Sequence, residues 1–199
     1  MEQKHMYGFL VKTAIPKNEW DERNETEKRI RDAIWRAHRD TLTGRFQLKR
    51  YIKYTTGGKG EKKHDVTDHL YKTIIDCHKK GCAIYSQLLI DNLSNRFIDN
   101  NEVKDDDKVE FGAIQKIVNM TLKYLIILNA FEFDNPINID ESKCHCPLDS
   151  IILEKLEHTE LRWTSISKGD YDKVQEEIGK NLSPEEKPEG NIFYDFKYW

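Results

Sequence analysis

The chain has 199 residues, of which 38% are hydrophobic and 34% charged, and its net charge at pH 7 is −3. This composition supplies one ordinary core under a charge-rich surface and excludes a disordered chain. The small net charge excludes a nucleic-acid or membrane partner held by bulk charge alone.

Residues 18–40, NEWDERNETEKRIRDAIWRAHRD, predict a helix. Acids crowd its first half and bases its second, as the helix dipole favours, and Ile30, Ala33, Ile34 and Ala37 form an apolar stripe. Thr43-Gly44 ends it. Residues 45–63 set Arg45, Lys49, Arg50, Lys53, Lys59, Lys62 and Lys63 against the lone acid Glu61, a local charge of about +6. Phe46, Tyr51 and Tyr54 are interleaved, and TTGGKG at 55–60 makes a basic flexible loop near 55–64. A long helix is expected from cap candidates Asp65 and Thr67, with Leu70, Ile74, Cys77, Gly81, Ile84 and Leu88 on one face and a break at Lys80-Gly81. On a continuous helix Cys77 and Cys82 lie about 140° apart and diverge.

Residues 99–110, DNNEVKDDDKVE, form an acidic loop with a charge of about −4. The most apolar stretch, FGAIQKIVNMTLKYLIILN at 111–129, has the length of a core helix. After a loop around Pro136, a helix is expected from Pro147 to about Glu157, then a short surface helix in DYDKVQEEIGKN and a linker in SPEEKPEG. The aromatic end NIFYDFKYW is expected to pack back, because its exposed aromatics would be an aggregation liability. With no repeat and no convincing strands, the expected fold is all-α: a single helical domain over 1–199, an irregular bundle of four or more helices around one core.

KCHCPLD, at 143–149, invites a metal reading. Cys144-His145-Cys146 are too close to supply three ligands easily, because neighbouring side chains point in different directions, so no metal and no cofactor is expected. A catalytic cysteine would need a base or a helix N-terminus, and Cys146 stands before Pro147 with His145 beside it. The capping reading accounts for more residues. In it Cys146 enters the helix, Pro147 begins it and Asp149 meets its free N–H groups. The four cysteines, Cys77, Cys82, Cys144 and Cys146, are too few for a disulfide scaffold, so reduced thiols are expected.

The 111–129 helix carries an anomaly. Lys116, Asn119 and Lys123, spaced i, i+3 and i+7, share one narrow stripe that Gly112 extends. Either the stripe faces water, or a lysine pairs with a structural carboxylate, or the stripe lines a pocket for an anion such as a phosphate. FGAIQKIVNMTLKYL, CHCPLDSIIL and RWTSIS…DYDKVQEEI resemble a group of uncharacterised bacterial proteins with the pattern G-x-A-Q-K-x-x-N-x-x-x-K-Y-L, H-x-P-[LIM]-D and W-[ST]. The likeness covers about residues 111–178, with Ile114 replacing the usual alanine. It implies no activity. It implies that Gln115, Lys116, Asn119, Lys123, His145, Asp149 and Trp163 belong together. If the stripe faces the Cys146–Asp149 helix start, Lys116, Asn119, Lys123, His145 and Asp149 are expected as a ligand-binding set for an anion.

Three functions follow. The first is a helical module for a phosphate-bearing ligand, nucleic acid or nucleotide, with Arg45, Lys49, Arg50 and Lys53 as nucleic-acid contacts. The second is a metal-independent ribonuclease: RDAIWRAH loosely resembles the R-x(4–6)-H motif of the helical HEPN ribonucleases. By that resemblance His38 is the acid or base and Arg31 stabilises phosphate charge. The third is a non-catalytic protein-interaction factor of a phage, mobile element or defence system. No apolar run is expected to reach the ~18 residues of a membrane span, and MEQKHMYGFL lacks a signal peptide's apolar segment. A cytoplasmic protein without a membrane partner is therefore expected.

Overall fold

A computed structural model describes residues 26–42, 66–99, 109–130 and 135–198. The fold is all-α. In chain order the helices are α1 (Thr26–Leu42), α2 (Val66–Lys79), α3 (Ser86–Phe97), α4 (Phe111–Asn129), α5 (Ser150–Lys155), α6 (Lys168–Asn181) and α7 (Ile192–Tyr198). The basic segment 45–63, with Arg45, Lys49, Arg50 and Lys53, lies outside the described residues, as does nearly all of the acidic loop.

α4 is the axis of the bundle. Every residue from Gly112 to Leu128 is buried, because α1 and α3 pack on it from one side and the C-terminal half of the chain covers the other. By length and composition α4 could cross a membrane, which corrects the expectation that no such segment exists, yet nearly all of it is buried within the protein. α1 buries Ile30, Ala33, Ile34 and Ala37, the stripe read from its spacing. It is tied to α4 by Arg36, whose guanidinium pairs with Asp40 at 3.1 Å and donates to the Tyr124 hydroxyl at 3.4 Å.

The expected long helix is two helices. The Gly81 N–H donates to the His78 carbonyl (3.0 Å) and the Cys82 N–H to the Cys77 carbonyl (2.9 Å), with Gly81 at φ +69°. These bonds satisfy the last carbonyls of α2 and turn the chain back on itself. The 140° divergence of Cys77 and Cys82 is thereby corrected: Cys82 is not on the helix but folded back beside it. The chain then runs through Ile84, which exchanges two backbone bonds with the extended segment at Asn138 and Asp140 (2.9 and 3.0 Å) before α3 begins.

The helix expected from Pro147 is shorter and starts later. Asp149 is its N-cap, with Oδ1 accepting the Ile152 N–H at 3.0 Å, so Cys146 and Pro147 belong to the preceding extended segment. The aromatic end forms α7 and packs back with Ile192, Tyr194 and Asp195 buried.

Gly112 fixes how closely the C-terminal half approaches α4. A Cβ built there would stand 2.1 Å from the Trp163 carbonyl oxygen and 2.7 Å from that of Thr164, both backbone atoms with no rotamer to escape into. Gly112→Ala is expected to lower stability by about 2 kcal/mol, the scale of core overpacking. An unchanged denaturation midpoint would show that this turn is free to retreat.

Candidate functional site

The polar stripe of α4 is buried, which corrects the reading that it faces water. Lys116, Asn119 and Lys123 are 5%, 0% and 1% exposed. A buried ammonium needs a counter-charge, and each lysine has one. Lys116 Nζ lies 2.8 Å from Asp149 Oδ2 and 5.9 Å from the centre of the Trp163 ring. Lys123 pairs with Asp195 of α7 and lies 5.5 Å from the centre of the Phe196 ring. Burial pushes the Asp195 carboxyl up, and the ammonium of Lys123 opposes that shift.

Between the two pairs, helix-borne amides grip the extended segment that precedes α5. Gln115 donates to the Leu148 carbonyl (3.1 Å) and accepts the Leu148 N–H (3.2 Å). Gln175 of α6 does the same for Cys146, donating at 2.7 Å and accepting at 3.0 Å. Asn129 brackets Ile137 in the same way, at 2.7 and 3.1 Å. A carboxamide carries one acceptor and one donor at peptide spacing, so each stands in for a neighbouring strand. Beyond its bridge with Ile84, the segment thus has backbone groups satisfied by side-chain amides.

Asn119 joins this grip to His145. Its Oδ1 accepts the Ser86 hydroxyl (2.7 Å), whose oxygen accepts the His145 N–H (2.7 Å). Its Nδ2 donates to the Tyr171 hydroxyl (2.8 Å), which lies 2.9 Å from His145 Nδ1. The His145–Tyr171 contact thus closes a chain of polar groups that runs from Ser86 through Asn119 to the imidazole. Burial lowers the His145 pKa to about 4.

The residues of the implied set fall into two groups. Gln115, Lys116, Asn119, His145, Asp149 and Trp163 form one connected seam, and Lys123 belongs to a second contact with Asp195. The positive charges are matched by carboxylates, and the Ile152 N–H at the start of α5 is taken by Asp149 itself. An anion would have to displace Asp149 or Asp195 to reach these lysines. Ser86, Tyr171 and Gln175 complete the seam, and Asp195 the second contact, without having been singled out by motif. For Asp195 a signal exists: a single acid inside an aromatic terminal segment is a natural counter-charge for a lysine in an apolar helix.

The cysteines of KCHCPLD are core residues. Burial pushes Cys144 up to about 12 and Cys146 well above the ordinary thiol range. Their neighbour His145 turns instead to Tyr171. Among the described residues no three His, Cys, Asp or Glu side chains converge as metal ligands.

The two α1 residues of the ribonuclease reading part company. The Arg31 guanidinium is exposed and lies 3.8 Å over the Tyr71 ring, whereas His38 is 3% exposed on the packed face. Seven residues return a helix to nearly the same angle, but this angle is the edge of the buried face, and each side chain takes the side that suits its chemistry. Compared with known families, curated proteins and solved structures, the chain matches none.

Proposed function

We propose that the protein binds single-stranded nucleic acid, with the outer face of α1 as part of the contact surface. The observation that carries this reading is Trp35, a large aromatic left 47% exposed on a helix whose other face is in the core. Arg31 and Arg39 stand one turn to either side of it, and Lys28 continues the same row. The Arg39 guanidinium lies 4.8 Å from the centre of the Trp35 ring. An exposed indole flanked by guanidinium groups offers a base a stacking platform and the backbone its counter-charges. α1 also leads in sequence toward the basic, aromatic segment 45–63, so the positive charge continues beyond the helix.

This moves the proposed phosphate contacts from the α4 lysines, which are spent on carboxylates, to α1 and the 45–63 segment. The ribonuclease alternative draws no support from two residues that face different environments. The interaction-factor alternative rests on no particular residue.

Fluorescence anisotropy with a labelled oligonucleotide tests the proposal. Binding is expected at low salt and should weaken steeply as salt is added. Trp35→Ala should weaken it about tenfold at constant fold, the scale of one stacked base. Absence of binding to single-stranded RNA and DNA at low salt overturns the proposal, and full affinity in the Trp35→Ala protein removes α1 from it.

A further inference from the structure

The turn that ends α2 folds the backbone of one cysteine onto that of another. Cys77 is the third residue from the end of the helix, and Cys82 is the second residue after the helix cap. The Cys82 N–H donates to the Cys77 carbonyl at 2.9 Å, and Gly81 N–H to His78 carbonyl at 3.0 Å. Residues at these two positions of such a turn are often in contact, and Cys82 is among the groups that raise the Cys77 pKa. With standard bond lengths, the 2.9 Å bond caps the Cα–Cα separation at about 6.8 Å. Disulfides span roughly 4.4–6.8 Å. Both cysteines are free; Cys82 is exposed and Cys77 half-buried.

We propose that Cys77 and Cys82 are a thiol–disulfide exchange site that low-molecular-weight disulfides oxidise to an intramolecular disulfide. Exposure makes Cys82 the entry point. Its thiolate attacks one sulfur of the reagent RSSR; a Cys82–SR bond forms and one RS⁻ leaves. The Cys77 thiolate then attacks the Cys82 sulfur, the second RS⁻ leaves, and the Cys77–Cys82 bond forms. The protein gives up two electrons and two protons, and the reagent ends as two RSH. Burial holds the Cys77 thiol above its ordinary range, which suits it to the second, intramolecular step, where proximity compensates for a small thiolate fraction. The chain just beyond the pair carries Ile84, bonded to the extended segment, and Ser86, bonded to His145. Oxidation therefore clamps the turn that delivers Ser86 to the buried seam.

Cys144 and Cys146 serve as internal controls, being buried. The full chain is incubated without denaturant in excess oxidised glutathione, blocked with N-ethylmaleimide, digested and read by mass spectrometry. In the wild type we expect a Cys77–Cys82 cross-link, little retained glutathione, and recovery of both thiols on adding dithiothreitol. Cys77→Ser should instead retain glutathione on Cys82, and Cys82→Ser should give no cross-link. The proposal is overturned if the wild type holds glutathione on Cys82 as stably as Cys77→Ser does, or if neither residue reacts.

Discussion

Asp195→Leu should destabilise the protein by about 4 kcal/mol, the cost of stranding one member of a buried ion pair. Its partner Lys123 is 1% exposed and sits on a helix buried along its length, so the ammonium has no route to water. Lys116 already serves Asp149 and would repel rather than relieve it. The companion Lys123→Met should cost a similar amount at neutral pH. In that protein the strongest influence lowering the Asp195 pKa is gone, and burial acts unopposed by it. A carboxyl whose folded pKa is raised contributes stability below its unfolded pKa and loses it as pH rises through the folded one. The Lys123→Met protein should therefore come closest to wild type in acid. The double variant Lys123→Met/Asp195→Leu, apolar on both sides, should recover most of the loss. Urea denaturation of the four proteins gives the cycle. A loss below about 1 kcal/mol in Asp195→Leu would mean that α7 does not dock as described.

The second large effect is a pH dependence centred on His145. Its pKa is lowered to about 4, chiefly by burial, with Lys168 acting in the same direction and Asp172 against it. The unfolded chain takes up the proton near pH 6.5 and the folded protein only near pH 4. Below pH 6.5 the unfolded state binds more protons, so stability falls as pH falls through this window and levels off below about pH 4. The separation of the two values corresponds to about 3 kcal/mol. Carboxylates titrate in the lower part of the same window, so the readout is the difference between wild type and His145→Gln, measured by urea denaturation from pH 7.5 to pH 4. That difference should shrink by about 3 kcal/mol on acidification. A constant difference would show that His145 is solvated in the folded protein.

The two predictions concern residues whose type was legible in sequence and whose partners were not. Lys116, Asn119 and Lys123 stand out because an apolar helix has few reasons to carry lysine. Whether such a stripe faces water, a ligand or a carboxylate depends on what lies across from it, and helical spacing is silent about that. Asp195 lies 72 residues from Lys123, Tyr171 52 from Asn119 and Gln175 29 from Cys146. Ser86 sits inside a run that reads simply as the continuation of a helix. The pairing of Gln115 with Leu148 is invisible for a further reason: its partner is backbone, and any residue at 148 but proline would offer the same groups.

Local sequence sufficed for the helical class, the α4 core helix, the apolar stripe of α1, the break after Lys80 and the return of the aromatic end. Each is written in local periodicity, in glycine or in the cost of exposing aromatic surface, and each needs only neighbours within a turn or two. The tertiary structure alone decided that the lysine stripe is buried and neutralised, that α5 begins at Asp149, and that Arg31 and His38 part. It alone decided that Cys82 folds back onto the Cys77 carbonyl. These depend on contacts between elements or on a reversal of chain direction, where a difference of one residue changes which atoms meet. The physical reason is the same throughout: helix formation is a short-range balance of hydrogen bonds and side-chain entropy, whereas the pairing of a buried charge or amide is settled by the group that packing brings against it.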